Sequence, residues 1–134
     1  MKKPMMYLLG GLVILALLTL LFIRQYRRLS IDVWDNVSIF STYNKTENTA
    51  VVVENDAKRL KAILNNKHLY HEEHSCGFSD DFGLSISGRI LWIASDGCPY
   101  IYDCESGRYL TISKKDRQEI LDLFSKYGLR APKY

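Results

Sequence analysis

Hydrophobic and polar positions divide this chain into two unequal parts. Tyr7 to Ile23 reads YLLGGLVILALLTLLFI, with no charge and no proline; Tyr7 and Thr19 carry its only polar side chains. A membrane-spanning helix needs about 20 mostly apolar residues to cross roughly 30 Å of hydrocarbon. The run is 17 residues long, and Met5 and Met6 extend it to 19. Leu, Ile, Val and Phe fill 12 of the positions from Leu8 to Ile23. At about −0.3 to −0.6 kcal/mol each, they contribute about −4 to −7 kcal/mol to insertion, which Gly10, Gly11 and Thr19 offset only in part. The pattern predicts a transmembrane anchor. A cleaved signal peptide is the rival: Lys2 and Lys3 fit its basic start, but Leu21-Phe22-Ile23-Arg24 closes the run without a small-x-small cleavage site.

Beyond Arg28 the periodicities are those of a folded domain. Trp34, Val37, Ile39, Phe40 and Tyr43 mix with Ser and Thr, which predicts a strand over 33–43. A polar turn over 43–48 follows, then a β-branched strand at Ala50–Val53. Ala57, Leu60, Ile63 and Leu64 recur at helical spacing, with Asn55 or Asp56 as the expected cap and Asn65-Asn66 as the stop. Phe82, Leu84 and Ile86 alternate with small residues, Ser87-Gly88 is a two-residue turn, and Ile90–Ala94 is nearly continuous apolar. Tyr100–Tyr102 and Tyr109–Ile112 flank Glu105-Ser106-Gly107 as a second hairpin. A last helix starts at a Ser113/Asp116 capping box, carries the stripe Ile120, Leu121, Phe124 and Tyr127, and stops at Gly128 and Pro132. This order predicts an α+β domain: a small antiparallel β-sheet with two amphipathic helices on one face and the other face open to a ligand. The domain boundaries are a tail at 1–6, the anchor at 7–23, a basic juxtamembrane tether at 24–32 and a single soluble domain at 33–134.

Charge sharpens this division. The chain carries 18 basic and 15 acidic residues, but the first 30 residues hold five of the basic ones and no acid. Residues 31–134 are therefore slightly acidic, so the basic pI near 8.7 reflects the flanks of the apolar run and does not imply nucleic acid as a partner. Lys2 and Lys3 before the run nearly balance Arg24, Arg27 and Arg28 after it. The short MKK tail is that of a bacterial signal anchor and favours an extracytoplasmic carboxyl-terminal domain.

Candidate chemistry concentrates in one irregular stretch, 68–81. His68, His71, His74 and Cys76 offer nitrogen and sulfur ligands suited to zinc or copper, although the spacing fits none of the common zinc patterns. A hairpin folded about Ser87-Gly88 pairs residues whose numbers sum to 175. Cys76 and Cys98 sum to 174, so one bulge brings them opposite each other and makes them the expected disulfide of an exported domain; in a cytoplasmic one both would be free thiols. Cys98 and Cys104 are too far apart along one strand, about 20 Å. Cys104 reads as a small buried apolar residue. No phosphate loop, dinucleotide-binding glycine pattern or zinc-protease pair is present, and no cofactor is expected. Nucleophilic catalysis would need a cysteine, a histidine and an orienting acid together, and no local motif supports it. The expectation is a single-pass membrane protein without enzymatic activity: a binding or accessory module, with the lipid bilayer as partner through Tyr7–Ile23 and a protein partner near the membrane. The alternative is a metal- or redox-responsive domain built on the His68/His71/His74/Cys76 cluster.

Overall fold

The computed structural model describes residues 2–25, 27–43 and 45–131, and the side chains of these apart from 2–6, 24 and 25. Six strands form one antiparallel sheet: β1 (Val37–Tyr43), β2 (Thr46–Val51), β3 (Phe82–Ile86), β4 (Arg89–Ile93), β5 (Tyr100–Asp103) and β6 (Arg108–Thr111). Their spatial order is β2-β1-β3-β4-β5-β6. Three helices complete the fold: α1 (Lys2–Gln25), α2 (Glu54–Leu64) and α3 (Lys114–Lys126). The architecture is α+β.

Strand alternation builds the core. Ile39, Leu84 and Leu91 are cross-strand neighbours, as are Ile93, Ile101 and Leu110, and each is at most 1 % exposed. They share one cluster with Leu60 and Leu64 of α2 and Ile120 and Phe124 of α3, so both helices cover the same face. On the other face, Phe40 lies over Gly83. A Cβ at position 83 would stand 2.8 Å from the Phe40 ring and 2.3 Å from the Leu91 carbonyl oxygen, which is why only glycine fits there.

Several local expectations change in the folded chain. Val33 and Trp34 form a turn, with Asp35 N–H donating to the Asp32 carbonyl at 3.2 Å, and β1 begins at Val37. Neither Asn55 nor Asp56 caps α2; its N-cap is Val53, with no side-chain cap bond. The Asp56 carboxylate is used elsewhere. It accepts from Lys126 Nζ at 2.7 Å and from the Tyr127 hydroxyl at 2.9 Å, tying α2 to α3. Both bonds hold its pKa below 3.8. The capping box of α3 forms between Ser113 and Asp116, and Gly128 ends the helix at φ 72°. The stripe of α3 is Arg117, Ile120, Leu123 and Phe124, with Leu121 and Tyr127 only half-buried. Arg117 lies inside because its Nη2 donates to the Ala94 carbonyl at 2.9 Å. Pro132 lies outside the described residues.

The stretch read as a tether, 24–32, enters the domain at Arg27. Leu69 N–H donates to the Arg27 carbonyl, and Leu29 N–H to that of Lys67, at 2.7 and 2.8 Å. Leu29 is fully buried and Ile31 nearly so. Among the described residues no helix is long and apolar enough to cross a membrane. The described apolar side chains of α1, Tyr7 to Ile23, span about 26 Å at about 1.5 Å per residue, short of roughly 30 Å of hydrocarbon. The expected transmembrane span is therefore unsupported. The side chains of Lys2, Lys3, Met5, Met6 and Arg24, which the expectation also used, lie outside the described ones.

Candidate functional site

The face of the sheet away from the helices carries a row of aromatic residues at the β4–β6 end. Strand register sets it: Trp92 is the partner of Tyr102, and Tyr102 of Tyr109. Their core-facing neighbours are Leu91, Ile93, Ile101 and Leu110, so alternation puts all three rings on the outer face. Trp92 and Tyr102 stack at 5.6 Å between centroids, and Tyr102 and Tyr109 lie at 5.0 Å.

The irregular stretch after α2 crosses this row as a strap. It begins at the sheet edge, where Tyr70 and Tyr109 exchange two backbone hydrogen bonds of 3.0 Å. The Tyr70 hydroxyl also meets Thr111 Oγ1 at 2.6 Å. His74 then stacks on Tyr100, with centroids 3.9 Å apart and planes 14° apart. The edges of Tyr70 and Tyr109 close round its ring at 5.8 and 5.0 Å. Its Nε2 is buried without a hydrogen bond, and the Glu72 carboxylate lies 3.9 Å away. Phe78 follows, 5.4 Å from Tyr109 and 6.0 Å from Tyr102.

A disulfide between Cys76 and Cys98 fastens the strap, with Cα atoms 6.1 Å apart. Hydrogen bonds reinforce it. Gly77 N–H donates to the Asp96 carboxylate at 2.8 Å, and the Gly77 carbonyl accepts from Ser95 N–H and Ser95 Oγ at 2.7 and 2.9 Å. Cys98 N–H also donates to Asp96, at 3.3 Å. The Gly77 bond, more than the weaker Cys98 bond, holds the Asp96 pKa below 3.8. One carboxylate thus braces both ends of the covalent link.

The four residues expected as a metal cluster do not assemble. His68 is tied to Arg28 by a backbone bridge, His71 is exposed, His74 is enclosed by tyrosines, and Cys76 is in the disulfide. Among the described residues, one group of three potential ligands converges: Cys76, Asp96 and Cys98. Both sulfurs of that group are bonded to each other. The sequence already groups Tyr100, Tyr102 and Tyr109 on neighbouring strands; sequence reasoning missed Trp92 as a member of the row and Asp96 as the brace of the disulfide. The alternation of Trp92, Tyr100, Tyr102 and Tyr109 was the available signal for the row.

Cys104 sits at the far end, in the β5–β6 turn, where burial and then the Asp103 carboxylate push its thiol above the ordinary value. Less thiolate means a poorer nucleophile. The same turn is held by Asp103, which is fully buried and accepts from Arg89 Nε at 2.9 Å and from Ser106. Burial alone would raise the Asp103 pKa, but the bonds from Arg89 and Ser106 outweigh it and leave it below 3.8.

No protein-family model, curated protein or solved structure matches this chain. Its functional reading therefore rests on its own geometry.

Proposed function

We propose that this protein is a non-enzymatic binding or accessory module held at a membrane by α1. One observation carries the membrane part. The large apolar side chains from Tyr7 to Ile23 are 55–74 % exposed, and none belongs to the core cluster of the domain. Exposed apolar surface of that extent is stable only when something apolar covers it. A bilayer does so at roughly −0.3 to −0.6 kcal/mol per large aliphatic residue, and a slightly short segment is accommodated by thinning of the lipid or by snorkelling of its basic flanks. The domain enters its fold at Arg27, so it would sit against the lipid surface. The Cys76–Cys98 disulfide favours an oxidising compartment, hence an extracytoplasmic domain. The binding part is supported by the aromatic row and strap, a rigid surface rich in tyrosine of the kind used at interfaces, near which no nucleophile–base pair is assembled among the described residues.

Alkaline carbonate extraction of membranes from expressing cells tests the anchor. The full chain should stay in the pellet and need detergent to leave it. A chain that appears in the carbonate supernatant and remains dispersed without detergent overturns the reading. Labelling intact cells with an impermeant thiol reagent, before and after reduction, tests the orientation. Cys76 and Cys98 should react from outside only after reduction.

A redox-responsive domain is the second reading, favoured by the partly exposed disulfide beside Asp96. It is carried by Cys76, Cys98 and Asp96, because the histidines of the expected cluster stand apart. Reduction that leaves the aromatic circular dichroism of the domain unchanged would count against it.

A further inference from the structure

The two edges of the sheet are treated differently. At β6 the outward-pointing backbone groups of Tyr109 are taken by Tyr70. At β2 the edge is open. Val52 N–H donates inward to Val37 at 2.9 Å, so by strand alternation Ala50 and Asn48 also point their backbone groups at β1. The N–H and C=O groups of Glu47, Thr49 and Val51 then point outward, and no hydrogen bond to them is found among the described residues. All of β2 except Ala50 is exposed. The strand has no lysine, proline or bulge to discourage pairing, only Glu47. At its end stand four exposed apolar side chains: Val33 at 73 %, Trp34 at 92 %, Val51 at 76 % and Val53 at 58 %. Val33, Trp34 and Val51 line one groove.

We infer that β2 is a self-association edge at which a second copy of this chain pairs antiparallel, joining two six-stranded sheets into one. Only another extended polypeptide matches a row of alternating N–H and C=O groups. The choice of a second copy follows from three features. With the β6 edge closed, sheet extension between copies cannot run head to tail, and β2 against β2 is a two-fold contact that stops at the dimer. A two-fold at Ala50 sets Thr49 opposite Val51 of the second copy, twice, and both are good strand formers. The same register places Glu47, the one charge of the strand, opposite Val53 of the second copy, so no like charges face each other. The inference gains from the proposed anchoring, since α1 would confine copies to one bilayer and raise their effective concentration.

The test uses the full chain in detergent micelles, with its mass measured by light scattering over a concentration series. Thr49→Pro removes an outward N–H and none of the bonds to β1, so the fold should stay intact while the edge is blocked. Val51→Lys sets a charge on the same edge without touching the backbone. The wild type should form dimers, and each variant should weaken dimerisation by about tenfold or more with its circular dichroism preserved. A wild type that is monomeric at every concentration overturns the inference. So do dimers that persist unchanged in Val51→Lys, which would place the contact elsewhere, α1 included. Should the chain prove soluble without detergent, the anchor reading fails, and the same series in plain buffer still decides the pairing.

Discussion

The two ends of the sheet are built from similar antiparallel strands and end in opposite states. At the β6 end the edge is bonded to Tyr70, the outer face is covered by the strap, and a disulfide fixes the cover. At the β2 end the edge is open, all of the strand but Ala50 is exposed, and Trp34 and Val51 stand in solvent. The β6 end invests aromatic stacking, a covalent bond and two bonded aspartates in closing itself. The β2 end invests nothing comparable, although an open edge is the part of a sheet that proteins ordinarily guard. The difference teaches where stability is concentrated and where the chain remains available for contact.

The comparison can be broken by mutation. The largest effect should come from replacing Cys76 and Cys98 by serine, which opens a crosslink across 22 residues. Loss of such a crosslink costs about 3 kcal/mol, read in urea denaturation. Arg89→Ala comes next, since it leaves the buried Asp103 carboxylate without its cation. Arg89 is partly exposed, so a cost of about 2–3 kcal/mol is expected, at the lower end for broken buried pairs. Gly83→Ala, in the middle of the sheet, should cost about 1–3 kcal/mol through overpacking against Phe40 and Leu91. Thr49→Ala and Glu47→Ala at the open edge should stay within about 0.5 kcal/mol. An open-edge substitution as costly as the disulfide removal would show that the β2 end is also a stability centre, and the contrast would fall.

Acid offers a further way to sharpen it. The pKa values of Asp103 and Asp96, at the closed end, are held below 3.8 by their hydrogen bonds. A carboxyl whose folded value is lowered stabilises the fold fully above its unfolded value, and that contribution is lost as pH falls through the folded value. Stability should therefore be level down to roughly pH 4 and decline below it. Trp92 fluorescence in a Trp34→Phe variant should report the loss, since Trp92 belongs to the closed end. A Trp92 signal and urea midpoint unchanged between pH 5 and pH 2 would remove both aspartates from the account.

The legibility of this chain follows the range of the interactions. The hairpin about Ser87-Gly88 pairs Ile86 with Arg89, the register that a two-residue turn dictates. The Ser113/Asp116 box needs only four consecutive residues. Counting outward from the same hairpin brings Cys76 within one residue of Cys98, a gap that one bulge closes, and the folded chain bonds these two. Asp56 stands where a cap of α2 is expected, but Lys126 and Tyr127, about 70 residues away, claim its carboxylate. The histidine spacing suggested a cluster, but spacing along an irregular stretch says nothing of what each ring meets, and His74 meets Tyr100.

By itself, the sequence determined most of the strands and both helices of the domain, the separation of a basic-flanked apolar run from a slightly acidic domain, and the register of the Ser87-Gly88 hairpin, although it began β2 at Ala50 where the folded chain begins it at Thr46. These follow from side-chain periodicity, turn geometry and charge over a few neighbouring residues. Only the tertiary structure decided that Leu29 and Ile31 belong to the core, that the strap lies across the aromatic row, that Asp96 braces the disulfide, and that one sheet edge is closed while the other stays open. Each of these depends on which distant segments share a surface, and that is settled by burial and hydrogen-bond satisfaction over the whole domain at once.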